Sequence, residues 1–217
     1  MECPTQLPTS WWDWTVQVLV AAGTIGAVVV ALFGDVLRHW FLPPRLRLSV
    51  DSLEGVPTPV QVTRIDVQGH ATVTTAASRY WHVRVRNERR WLPAHNVQVL
   101  VLKIEMPGPD GLPQTKFEGE TPMRWENQEL YPSGRNVGAS GRVALCSVVK
   151  DDGLGLHPII LPFSMPVKWT APCVLWLTFQ ARADEGESPP MRVRVAWDGK
   201  WEDGALEMRQ HLTLEVL

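Results

Sequence analysis

The chain has almost no cysteine. Three thiols, Cys3, Cys146 and Cys173, occur in 217 residues, and none is spaced as C-x-x-C. So sparse and odd a set excludes a disulfide framework and a structural zinc site. Cys146 and Cys173 fall in the apolar runs GRVALCSVV and APCVLWLTF and read as small buried hydrophobes. Charge of one sign is lacking too. Over residues 45–217 the 20 Lys and Arg equal the 20 Asp and Glu, whereas a domain that grips nucleic acid by its phosphates is basic. No nucleic-acid polymer is expected as a partner. The sequence also has no G-x-S-x-G elbow, no G-x-x-x-x-G-K-[ST] loop and no G-x-G-x-x-G. The six histidines, His39, His70, His82, His95, His157 and His211, form no H-x-x-x-H, H-x-H or H-E-x-x-H pair. His157, which follows Asp151-Asp152 in a Gly-rich stretch, reads as an exposed loop residue. No metal, cofactor or catalytic role is expected from these patterns.

What is present first is one long apolar run. Residues 15–34, TVQVLVAAGTIGAVVVALFG, hold one amide and no charge. At 1.5 Å per helical residue, twenty residues span about 30 Å, the thickness of a bilayer's hydrocarbon core. Trp11, Trp12 and Trp14 stand at one end, Trp40 and Phe41 at the other, as in the aromatic belts of membrane interfaces. A cleaved signal peptide needs a basic start and a shorter core, and the first fourteen residues contain no Lys or Arg. The expectation is a tail at 1–13 and a transmembrane helix with its flank at 14–42.

Glu2 and Asp13 precede the run, while Arg38, Arg45 and Arg47, with His39, follow it. The positive-inside rule then predicts a single-pass protein of an inner (plasma) membrane, N-terminus out and the remainder in the cytoplasm. Gly23, Ala27 and Ala31 recur every four residues. Small residues at that spacing let two helices approach closely in lipid, so these three are candidates for self-association.

After Pro43-Pro44, which stops a helix, the hydrophobic period becomes two. RLRLSVD, VQVTRIDV, RYWHVRVRN, NVQVLVLKIE, GRVALCSVV, PCVLWLTFQARA, MRVRVAW and LTLEV each run five to twelve residues between Pro, Gly, Asn or Asp. Only ALEMRQH, 205–211, suits a short helix. Some eight strands with no helices between them predict an all-β domain over 45–217, an antiparallel sandwich with a closed β-barrel as the alternative. The Pro- and Gly-rich stretches 107–122 and 150–162 read as long surface loops, and Asp198-Gly199 as a type I′ hairpin turn.

VRVRNERRWLPAHNVQVLV, 83–101, resembles the strand–Asn–turn–Pro-Ala–strand pattern of bacterial immunoglobulin-like modules. Asn87, Pro93-Ala94, Asn96, Val97 and Val99 carry the likeness; the usual glycine after the asparagine is absent, and Arg89-Arg90-Trp91 fills the turn. The resemblance implies an Ig-like sandwich and no activity.

Arginine is locally dense. Alternation places Tyr80, His82, Arg84 and Arg86 on one strand face, and Arg192 and Arg194 repeat the device in MRVRV. Were the two strands neighbours, His82, Arg84, Arg86, Arg192 and Arg194 would share a face suited to phosphate, carboxylate or lipid headgroups. The expected function is a membrane-tethered cytosolic interaction or sensing module without enzymatic activity. Its partners are membrane lipid, a protein or a second copy met through the helix, and an anionic small molecule. The alternative is a bacterial stress or anti-phage membrane effector whose β domain binds a nucleotide and oligomerises the helices.

Overall fold

The computed structural model of the chain describes residues 11–41, 43–65, 68–126 and 133–217. Residues 1–10 of the expected tail, with Glu2 and Cys3, lie outside that description, as do Leu42, Asp66, Val67 and the side chains of Arg38, His39, Trp40 and Phe41. The chain falls into two compact units that divide after Pro43.

The first unit is α1, Trp11–Phe41. It begins before the expected residue 14, and within it Trp11–Gly34 is long and apolar enough to cross a membrane, with a mean hydropathy of 2.3. The two threonines are adapted to such surroundings. Thr15 Oγ1 donates to the Trp11 carbonyl and Thr24 Oγ1 to that of Val20, each at 2.8 Å, so neither hydroxyl needs water.

The second unit is mostly β. Its elements are β1 (Leu46–Val50), β2 (Val56–Ile65), β3 (Ala71–Asn87), β4 (Ala94–Pro107), β5 (Pro113–Pro122), β6 (Arg135–Val137), β7 (Ser140–Val149), β8 (Gly153–Gly155), β9 (Lys168–Trp169), β10 (Cys173–Ala183), β11 (Gly186–Glu187), β12 (Met191–Trp197), α2 (Ala205–His211) and β13 (Leu212–Val216). They form two antiparallel sheets. One has the order β1-β3-β7-β8-β9, with β2 also on β3; the other runs β13-β12-β10-β4-β5, with β11 on β10 and β6 on β4. Among the described residues no closed barrel forms. The sheets meet at one corner, where the chain leaving β5 forms isolated bridges from Met123 to Pro158 and from Trp125 to Val143 of β7.

Alternation explains the core. On β10, Leu175, Leu177, Phe179 and Ala181 are buried and their neighbours are not; β12 does the same with Met191, Val193, Val195 and Trp197. From the other sheet Trp81, Val83, Val85, Val143 and Leu145 join the same apolar cluster. The large residues come from both sheets, so each sheet's inner face is covered by the other. Cys146 lies in this cluster at 0% exposure, and burial pushes its thiol well above the ordinary range; Cys146 and Cys173 are both free thiols.

Two expectations are overturned, and a third, the loop at 150–162, gains one short strand. Stretch 107–122 is a tight turn followed by β5, an edge strand. Only Phe117 and Thr121 of β5 are buried, and prolines stand at both its ends, so it lacks the apolar period of a central strand. Stretch 150–162 likewise contains β8, where Gly153 (φ +103) leaves room that a Cβ would fill at 2.3 Å from the Trp169 carbonyl. Asp198-Gly199 is no two-residue hairpin. Gly199 alone of the pair has positive φ, and β12 pairs with β13 beyond α2, Trp197 opposite Leu212. Asp198 instead closes a longer loop, accepting from Lys200 N at 3.0 Å and contacting His211 Nδ1 at 2.8 Å.

Candidate functional site

The arginines do not share one face. Arg84 and Arg86 are on β3, Arg192 and Arg194 on β12 of the other sheet. Most are also neutralised locally. Arg84 pairs with Asp51, whose other oxygen takes Arg142 Nε at 2.9 Å. Arg192 meets Glu105 at 2.7 Å, and Arg194 lies 3.8 Å from Glu215. Arg86 is exposed and stands opposite Arg47. With the Asp51 and Glu105 carboxylates largely buried beneath their arginines, Arg84 and Arg192 are not bare guanidiniums poised to hold an anion. Gly23, Ala27 and Ala31 all lie exposed on α1, and their four-residue spacing puts them on one helical face.

Of the expected ligand residues, His82 borders a cavity. The reason begins in the strand. β3 alternates, so Trp81, Val83 and Val85 enter the core while Tyr80 and His82 take the other face of the sheet, where His82 is still only 6% exposed. A bulge then resets β7 against it: Trp81 stands opposite Cys146 but His82 opposite Ala144, leaving Leu145 extra. Bulges re-aim side chains and sharpen local twist. Here the bulge sits directly behind a cleft of about 260 Å³ lined by Tyr80, His82, Arg124, Trp125, Glu126 and His157, with Val56, Thr58 and Ala144 completing the wall.

Two irregular segments build its sides. Residues 124–126 are held by hydrogen bonds with β7, from Ala144 N to Arg124 O at 3.0 Å and from Glu126 N to Arg142 O at 2.9 Å. Arg124 N in turn donates to His157 O at 3.0 Å, which fixes the second segment. His157 is therefore no free loop residue. Its ring stacks on Tyr80 with centroids 5.0 Å apart, and Tyr80 in turn stacks with His82 at 6.3 Å. Its Nε2 lies 2.7 Å from Ser147 Oγ.

Ser147 and His157 have the contact of a nucleophile and its base. Ser147 is only 1% exposed, however, so its hydroxyl is closed to a substrate and the hydrogen bond serves to orient the ring. Both imidazoles are held neutral. Burial, then the Arg124 guanidinium and His82, pushes His157 down to about 4. Burial also lowers His82; Glu126 and Asp51 oppose that shift and Arg142 adds to it. Among the described residues no three His, Cys, Asp or Glu side chains converge as metal ligands. The cleft thus offers stacked aromatic rings, neutral hydrogen-bonding imidazoles, a cation at Arg124 and an acceptor at Glu126. Such a set has the chemistry to complement a small planar molecule carrying an anion.

The low His157 value has a measurable consequence. An unfolded imidazole takes its proton near pH 6.5, the folded one only near 4. Between those values the unfolded chain binds more protons, so stability falls as pH drops from about 6.5 to about 4, by on the order of 2–3 kcal/mol. In denaturant titrations of the full chain in detergent, His157→Phe should lose less stability than wild type between pH 7 and pH 4.5. Equal losses in the two proteins would contradict the buried neutral ring.

The chain matches no protein-family model, no curated protein and no solved structure, and its own geometry is what remains to suggest a function.

Proposed function

We propose that the protein is a membrane-tethered, non-enzymatic interaction or sensing module, with its N-terminus outside and its β unit in the cytosol. The observation that carries this reading is the apolar Trp11–Gly34 stretch of α1, of which nothing is buried, joined to a unit with its own core. Tethering confines such a unit to two dimensions and raises its effective concentration toward membrane partners. The orientation rests on Arg38, Arg45 and Arg47 following the helix while no Lys or Arg precedes it. The two-sheet architecture and the 83–101 pattern support an immunoglobulin-like sandwich. In that pattern buried Asn87 donates from Nδ2 to the Leu92 carbonyl at 2.6 Å and accepts from Arg89 N at 3.0 Å, so the asparagine ties off the turn between β3 and β4.

The topology is tested by fusing a periplasm-active phosphatase and, separately, a cytosol-fluorescing protein to Leu217 in a bacterial host. Fluorescence without phosphatase activity is the expected result. Phosphatase activity without fluorescence would refute the orientation and remove cytosolic signals from consideration.

The Tyr80–His157 cleft favours a second, sharper reading: a bacterial stress or anti-phage effector in which a nucleotide-like anion occupies the cleft and brings the helices together through Gly23, Ala27 and Ala31. Arg124, rather than Arg84, Arg86, Arg192 or Arg194, is then the anion's partner, because it lines the cleft. For the detergent-solubilised full chain, a panel of cyclic and linear nucleotides should include one that raises Tm with dose. Tyr80→Ala and Arg124→Ala should abolish that rise, and Arg192→Ala, on the other sheet, should retain it. No rise with any nucleotide, or the same rise in all variants, would sink this reading.

A further inference from the structure

β3 is long enough to serve two purposes. From Ser78 to Arg86 it is flanked by β7; before Ser78 its only strand partner among the described residues is β2, with which it pairs from Val56 opposite Tyr80 to Ile65 opposite Ala71. The outer part is a two-stranded ribbon whose residues 71–75 are all exposed, Val73 at 60%. A lone two-stranded ribbon is marginal in water, and each bare edge is a template for another strand.

The two edges of this ribbon differ. Pro57 stands opposite Arg79 and Pro59 opposite Ala77. Proline has no N–H to donate, so the ladder's hydrogen bonds fall to the alternate pairs, and the odd-numbered residues of β3 point their N–H and C=O groups away from β2. Ala77 bears out this phase, because its carbonyl accepts from Lys150 N, on the far side from β2, at 2.9 Å. The outer edge of β2 has thus lost two donors at 57 and 59. The outer edge of β3 presents intact N–H and C=O groups at 71, 73 and 75. Residues 71–77, ATVTTAA, contain no charge and no proline, the devices by which proteins usually blunt an edge.

We propose that this edge of β3 pairs antiparallel with the same edge of a second copy of the chain. Val73 lies on the two-fold axis opposite its own equivalent, and residue 71 lies opposite residue 75 of the second copy, giving about six main-chain hydrogen bonds. Three features select a second copy as the occupant. The segment is uncharged, so placing it against itself brings no like charges together. The pairing adds a strand in line with β7, continuing a sheet that already exists. Pairing this edge with its own equivalent about a two-fold axis is isologous, so the contact closes at two copies instead of growing into a fibre.

The test uses the full chain in native membranes on a Cys3→Ser background, with Val73→Cys exposed to a copper–phenanthroline oxidant. Directly opposed residues of an antiparallel pair lie within disulfide reach, with Cα atoms about 5.5 Å apart. A product at twice the monomer mass is expected. Thr63→Cys, on the opposite edge of the ribbon and also exposed, should stay monomeric, which separates edge pairing from association through α1. Adding Thr75→Pro to Val73→Cys should cut the dimer at least tenfold. It removes an outward N–H and leaves the β2–β3 ladder intact. The pairing is overturned by absence of dimer at position 73, by equal crosslinking at 63, by a dimer that survives Thr75→Pro, or by a product whose mass is not that of two chains.

Discussion

Water is the wrong solvent for α1. Thirteen large apolar side chains between Trp11 and Phe33 are exposed, and at about 1.5 kcal/mol each their hydration would cost about 20 kcal/mol. That exceeds the 5–15 kcal/mol by which a typical domain is stable. Among the described residues none of the Trp11–Gly34 stretch is buried. Lipid removes the cost, and the hydroxyls of Thr15 and Thr24 bond back to the Trp11 and Val20 carbonyls, so neither is left unpaired there. Membrane anchoring of the β unit follows from this one solvent requirement.

Within the β unit a single strand organises the candidate chemistry. β3 sends Trp81, Val83 and Val85 into the core and Tyr80 and His82 to the other face of the sheet, and its free N-terminal part supplies the proposed self-pairing edge. The bulge at Leu145 lets β7 follow β3 while turning Ala144 toward the cleft and keeping Leu145 and Cys146 inside. Arg79 ties the middle of β3 to its surroundings. It is 3% exposed and donates to the carbonyls of Glu54 at 3.1 Å and Asp203 at 2.8 Å. A buried guanidinium whose two terminal nitrogens donate to carbonyls is costly to replace, so cleft and ribbon share one base.

Much of this was legible before the structure. Strands with a strict two-residue period, β10, β12 and β13, announce themselves because one face must be apolar. α1 announces itself because lipid demands an unbroken run. The long-range geometry was not legible. β5 escapes notice because an edge strand needs few apolar residues, and Thr121 and Phe117 are too few to show a period. The arginine face fails because alternation fixes which face a residue takes and says nothing about which strands become neighbours; Arg84 and Arg192 lie in different sheets. His157 looks like a loop residue because its partners, Tyr80, Ser147 and Arg124, lie 77, 10 and 33 positions away and only the fold gathers them. A carbonyl that accepts from Arg124 N has no signature in side-chain sequence at all.

The most direct test of the account is extraction of membranes from cells expressing the full chain. Washed with alkaline carbonate, a chain held only by surface contacts leaves the membrane, whereas one whose helix lies in the hydrocarbon core stays with it. Wild type is predicted to remain in the pellet and to be released only by detergent, and a chain beginning at Pro44 is predicted to appear in the supernatant. Release of the wild-type chain by carbonate would contradict the membrane anchor, and with it the tethering on which the proposed function depends.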